Sequence, residues 1–344
     1  MQRVHSESGP SCVPDLGVDA LSGWIGLGLN CARSGRVSLN AVYAGVVMVK
    51  GLVGFILGGL LTFGATQAAE LDVVATSSSM GALARTIGAE RAQVTVLASP
   101  DRDLHMLQAK PTMIRALRDA DLVVAVGAEL EVGWLPVAIA SAGNPRILPG
   151  QPGYFEAAAQ VDLLEVGLPA NRALGDVHPV GNPHVNMDPV RMAIVASALG
   201  ERMALLDPAG AETYRANARS FAAATEQRMN AWQARLAGAP GVILYHRDAL
   251  YLLDRFGVPL LGTIEEIPGV PPTAQQIKAL SEHLQGRSGV IVYAPYMSAQ
   301  APERLAKGLG WEARRLALDP PIGADGGGYL DHIDLWVDTL SHAR

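Results

Sequence analysis

DPAGAETYRANARSFAAATEQRMNAWQARL, residues 207–236, is the stretch whose reading decides the fold. Asp207-Pro208 reads as a helix start, an N-cap residue followed by proline at the first helical position. No strong breaker follows until Gly238 and Pro240. The ~30 residues from Ala209 to Leu236 predict a helix ~45 Å long at 1.5 Å per residue. One small lobe cannot bury a helix of that length, so the spacing predicts that it connects two lobes. A second start of the same kind, Asp188-Pro189, opens the stretch that precedes it.

On both sides of this segment short β-rich runs alternate with amphipathic stretches, the signature of α/β sheets. Before it, strands are predicted at Leu71–Ala75, Val94–Ala98 and Leu122–Val126, with a weaker candidate at Ile147–Leu148. Helices are predicted at Ser79–Ile87 and Pro111–Arg118. After it come strands at Val242–Tyr245, Pro259–Ile264, Val290–Tyr293 and Arg315–Leu318. Helices follow at Arg247–Phe256, at Thr273–Leu284, where Gln276 completes a capping box, and at Tyr329–Leu340. Gly326-Gly327-Gly328 reads as a flexible loop. The fold class is therefore α/β, with two lobes of parallel-type sheet flanked by helices and joined by one long backbone helix. The boundaries are 70–206, 207–238 and 239–344.

Residues 48–69 read as a cleavable secretory signal. Lys50 gives the positive start, Leu52–Phe63 the short apolar core, and Thr66-Gln67-Ala68-Ala69 small residues for cleavage. The apolar run falls short of the ~20 residues that a spanning helix needs. Residues 1–47 show no periodicity and precede this signal, so Met48 is the expected start and 1–47 a non-native extension. Both cysteines, Cys12 and Cys31, lie upstream of it. The mature, periplasmic chain would then hold no thiol, and any metal must be bound through nitrogen and oxygen. The net charge of −6 and the scattered basic residues argue against a nucleic-acid partner.

Four residues sit where strand-like runs meet helix starts: His105, His184, His246 and Asp319. In open α/β sheets, ligands bind beyond the carboxyl ends of the strands, which is where such junctions lie. Three imidazoles and a carboxylate form a donor set suited to tetrahedral zinc. Taken singly, a loop histidine is more often solvated or hydrogen-bonded, and Asp319 before Pro320 serves equally well as a cap. The residue pattern alone leaves the metal reading and the structural reading level.

The segments D103-L-H105, N182-P-H184-V-N-M-D188-P189, H246-R-D-A-L-Y-L-L-D-R-F-G257 and D319-P-P-I-G323 resemble, in order, motifs of the metal-binding solute-binding proteins of ABC transporters, the zinc and manganese uptake group (ZnuA-like and TroA-like). The likeness runs from about Leu71 to Leu340 and includes G127-A-E-L-E-V-G-W134. It implies that His105, His184, His246 and Asp319 bind one divalent ion in the cleft between the lobes. It also implies capture in the periplasm for delivery to a membrane permease with its cytoplasmic ATPase, by a monomer that is not an enzyme. Histidine at the third position resembles the zinc branch, so Zn²⁺ is expected ahead of Mn²⁺. Two departures stand out: D-L-H replaces the usual D-P-H, and no aromatic follows His184.

His178, in a loop with Asp176, is an accessory-ligand candidate whose bland reading is a solvated loop residue. His283 and His332 read as surface residues, and Glu129 and Glu131 as turn or surface residues, with orienting a ligand imidazole as the alternative. No H-E-x-x-H, nucleophile elbow or phosphate-cradling loop is present. The rival functions are a secreted zinc hydrolase with Asp319 as base, and a zinc chaperone or adhesin of the same fold that serves no permease.

Overall fold

The computed structural model describes residues 70–167, 178–267 and 269–342. The chain divides into two units, Met1–Ala65 and Thr66–Arg344, and all these residues belong to the second. The expected extension at 1–47, the signal at 48–69 and Asp176 lie outside the described residues.

Two four-stranded sheets carry the fold. The first comprises β1 (Leu71–Ala75), β2 (Ala92–Val96), β3 (Leu122–Ala125) and β4 (Tyr154–Glu156), in the order β2-β1-β3-β4. The second comprises β5 (Val242–Leu244), β6 (Leu260–Thr263), β7 (Val290–Tyr293) and β8 (Glu312–Arg315), in the order β6-β5-β7-β8. Every pairing is parallel. β3, β5 and β7 consist wholly of buried residues, as strands covered by helices on both faces must. The two orders are the same, and each reverses direction at its first strand. Crevices therefore open past the carboxyl ends of β1 and β3, and of β5 and β7.

The first half carries helices α1 (Ser78–Gly88), α2 (Pro111–Asp119) and α3 (Leu135–Ala142). Then come α4 (Pro189–Leu206) and the long α5 (Ala211–Leu236). The second half adds α6 (Leu250–Phe256), α7 (Ala274–His283), α8 (Gln300–Leu309) and α9 (Gly326–Ser341). With 26 residues α5 is ~39 Å long, shorter than predicted because Pro208–Gly210 forms a 3-10 turn first. Gly200 of α4 lies so close to α5 that a Cβ there would stand 3.2 Å from the Tyr214 carbonyl oxygen.

α5 touches the second half at Trp232, whose ring meets Phe256 edge-on with centroids 6.3 Å apart. Its Arg228 and Arg235 pair with Asp331, Asp334 and Asp338 on α9. Residues of both sheets, Val73 and Leu122 with Val242 and Val292, belong to one apolar core.

Several elements differ from the predicted ones. The fourth strand of the first sheet is Tyr154–Glu156, whereas Pro145–Ile147 is a 3-10 turn anchored by buried Ile147. β2 begins at Ala92 and ends at Val96, two residues early. The last strand is Glu312–Arg315 rather than Arg315–Leu318, and Asp319 does not directly follow it. Its sequence, E-A-R-R, belongs to a half-exposed sheet edge, where apolar patterning is absent. Gly326–Gly328 form the first turn of α9, with Asp325 accepting from the Gly328 N–H at 2.9 Å. Gly326 is required there, since a Cβ would come within 2.7 Å of the Phe221 ring.

Candidate metal centre

Each predicted histidine occupies a loop that the backbone holds firmly. After β2 the chain turns through Asp103, whose Oδ1 accepts both the His105 backbone N–H at 2.9 Å and the ring Nδ1–H at 2.8 Å. The Leu104 carbonyl takes the Trp134 indole N–H at 2.8 Å, and Leu104 is buried, so leucine in place of proline is absorbed by packing.

His184 precedes the 3-10 turn Val185–Met187 that leads to α4. Val185 and Met187, which follow His184, are fully buried. Asn182 accepts from the His184 N–H at 3.0 Å and donates to the Arg247 carbonyl at 2.9 Å. It thereby ties the His184 loop to the residue beside His246.

His246 leads out of β5, two residues beyond its last, and opens a 3-10 turn. Its segment is locked to the His184 loop by two further devices. The Tyr251 hydroxyl donates to the Asn182 carbonyl at 2.6 Å and accepts from the Leu164 N–H at 3.0 Å. Asp188, fully buried at the head of α4, caps that helix and accepts from Arg191 and from Arg255 on α6.

These three histidines converge. One ring nitrogen from each of His105, His184 and His246 lies within 4.8 Å of the others. Tetrahedral zinc with Zn–N of 2.0–2.1 Å needs nitrogens roughly 3.4 Å apart, so shifts of about 1 Å close the set. His184 Nε2 is buried and has no hydrogen-bond partner, a condition that an ion would relieve. Burial, then the His105, His246 and His178 rings, hold the His184 pKa well below the usual imidazole value. Burial first, with His105 and His178, lowers His246 to about 3. Both rings are thus neutral at pH 7, with lone pairs available for a cation.

Asp319 falls outside the three-nitrogen group. It is buried, and its Oδ1 accepts from the Ser79 N–H at 3.0 Å, near the positive N-terminus of α1. Ser78 adds a bond from its hydroxyl to the Pro320 carbonyl at 2.7 Å. Asp319 nonetheless lines the same cavity of about 20 Å³ as His105, His184 and Tyr296, room for roughly one water-sized occupant. A second cavity of about 220 Å³ adjoins His105 and His246 and is walled by Asp103, Glu265 and Tyr296.

Some single-residue expectations are corrected here. His178 is no bystander: its Nε2 stands 3.0 Å from His105 Nε2, with ring centroids 5.1 Å apart. His332 is buried, its Nε2 bonded to the Ala317 carbonyl at 2.9 Å, whereas His283 is exposed. Glu131 is buried and accepts from the Thr76 hydroxyl at 2.6 Å and from the Val126 and Gly127 N–H groups. It braces the ends of β1 and β3 rather than lying on the surface. Burial pushes its carboxyl up despite those donors.

Asn182, Asp188 and Tyr251 had no assigned role beyond motif or cap. The sequence signals were the N-P-H…D-P spacing for Asn182 and Asp188 and the H246-R-D-A-L-Y motif for Tyr251.

Residues 73–343 match the family described as zinc-uptake complex component A, periplasmic. The high-affinity zinc uptake system protein ZnuA of Yersinia pestis is 25% identical over 288 residues, covering 79% of this chain and 89% of that protein. A crystal structure of ZnuA superposes with a TM-score of 0.65 at 20% identity, over 80% of this chain and 99% of that one. The solute-binding protein FpvC of Pseudomonas aeruginosa, solved in complex with Mn²⁺, gives 0.64 at 23% identity, over 79% of this chain and 97% of that one.

Proposed function

The chain belongs to the periplasmic zinc-uptake component A family, and from that premise we propose that it captures a divalent metal ion, Zn²⁺ ahead of Mn²⁺, for an ABC permease driven by a cytoplasmic ATPase. The observation that carries this reading is the convergence of three imidazole nitrogens from separate segments, one of them buried and unpartnered. His105, His184 and His246 bind the ion, Asp319 offers the carboxylate oxygen that Ser79 leaves available, and His178 acts as an accessory ligand. An imidazole-rich set favours Zn²⁺, because Mn²⁺ prefers more oxygens and a higher coordination number.

The reading is capture rather than catalysis. Four protein donors close a tetrahedral shell, whereas a catalytic zinc keeps one position open for water. The protein works in the periplasm as a monomer, exported by the signal at 48–69, with translation from Met48.

The test is a zinc titration of residues 70–344 against a competing chelator. One ion per chain is expected, with His184→Ala and His246→Ala each weakening binding by at least ~100-fold while the circular dichroism spectrum is retained. Full affinity in both variants would overturn the assignment.

A further inference from the structure

We infer that Asp103 is a positioning residue for His105: it fixes the ring so that Nε2, and not Nδ1, is presented to the ion. This rests on the metal-capture reading above. A single carboxylate oxygen, Asp103 Oδ1, receives both the backbone N–H and the ring Nδ1–H of His105, at 2.9 and 2.8 Å. An ionised carboxylate only accepts, so Nδ1 must carry the hydrogen and the lone pair must sit on Nε2. That leaves one nitrogen of His105 to face the other rings, and His178 Nε2 lies 3.0 Å from it. The backbone bond closes a turn across Leu104, which sets the direction of Cβ, and the ring bond sets the rotation beyond it.

Two features separate this role from that of a loop brace. The loop has an independent anchor, the Trp134 indole bond to the Leu104 carbonyl, so the turn does not depend on Asp103 alone. The ring bond contributes nothing to the backbone path; its consequence is orientation and tautomer. A carboxylate on the far nitrogen also raises the basicity of a ligand imidazole. The D103-L-H105 motif marks His105 as a ligand candidate and assigns no role to Asp103.

The experiment is a double-mutant cycle on zinc affinity, with nitrogen NMR of ¹⁵N-histidine-labelled, metal-free protein. Asp103→Ala should weaken zinc ~10–100-fold in the parent and less than ~2-fold in the His105→Ala background. Asp103→Asn, which keeps an acceptor but no charge, should fall between Asp103→Ala and the parent. In the spectra, the His105 Nδ1–H tautomer should dominate in the parent and lose that dominance in Asp103→Ala.

An equal loss in both backgrounds would make Asp103 a direct ligand or a brace and overturn the inference, as would an unchanged tautomer. A parent that binds no zinc refutes the capture reading instead. The tautomer measurement needs no metal and still decides the role of Asp103.

Discussion

Acid should destabilise the metal-free fold through His246, and His246→Asn should remove that share. The buried ring has its pKa lowered to about 3, against 6.5 in the unfolded chain. The unfolded state therefore binds the proton first as pH falls below 6.5. The corresponding stability is complete above that pH and is lost progressively towards pH 3. Between pH 7 and 5 the unfolded ring goes from mostly neutral to mostly charged while the folded ring stays neutral, which costs about 2 kcal/mol.

Asp248 works in the opposite direction. Burial pushes its carboxyl up to about 7, so the folded state takes up a proton in the same interval and gains about 2 kcal/mol. Wild-type stability alone would therefore mislead. Subtraction cancels the Asp248 share, because the groups perturbing Asp248 after burial and local backbone bonds are His105 and Asp103, not His246, and His184 is lowered first by its own burial, which the variant keeps. The assay is urea unfolding with chelator present at pH 7, 6 and 5, for wild type and His246→Asn. The wild type should lose about 2 kcal/mol more than the variant over that range. Parallel stability curves would refute a ring held neutral by burial.

Asp188→Ala should cost about 3–5 kcal/mol in chemical denaturation, since it strands two arginines and removes the α4 cap. Asp188→Asn, which keeps a capping acceptor, should cost about 1 kcal/mol less. Zinc at a hundredfold excess over its dissociation constant should raise unfolding stability by about 2.7 kcal/mol, and that gain should be absent in His184→Ala by thermal melting.

The long helix and the alternation of strands and helices were legible because each leaves a local trace, whereas the histidines stood out only through their likeness to family motifs. A proline-capped run without breakers reads as a helix whatever it packs against. Strands buried on both faces, such as Val290–Tyr293, carry uniform apolar runs. The edge strand Glu312–Arg315 is not legible in this way, because its exposed side chains are charged and leave no such run. The three glycines opening α9 looked like a loop because the reason for Gly326, the proximity of Phe221, lies about a hundred residues away in the chain.

The sequence by itself determined which side chains offer metal-donor atoms, because donor chemistry is a local property. Only the tertiary structure decided their arrangement. It brings His105, His184 and His246 within 4.8 Å of one another, sets Asp319 against the N-terminus of α1, and turns His178 inward to His105. It also buries two rings so that they stay neutral, and makes Asn182, Tyr251 and Asp188 the ties between the His184 and His246 segments. Distances, desolvation and bonds between remote segments depend on packing, and packing leaves no periodic mark on the chain.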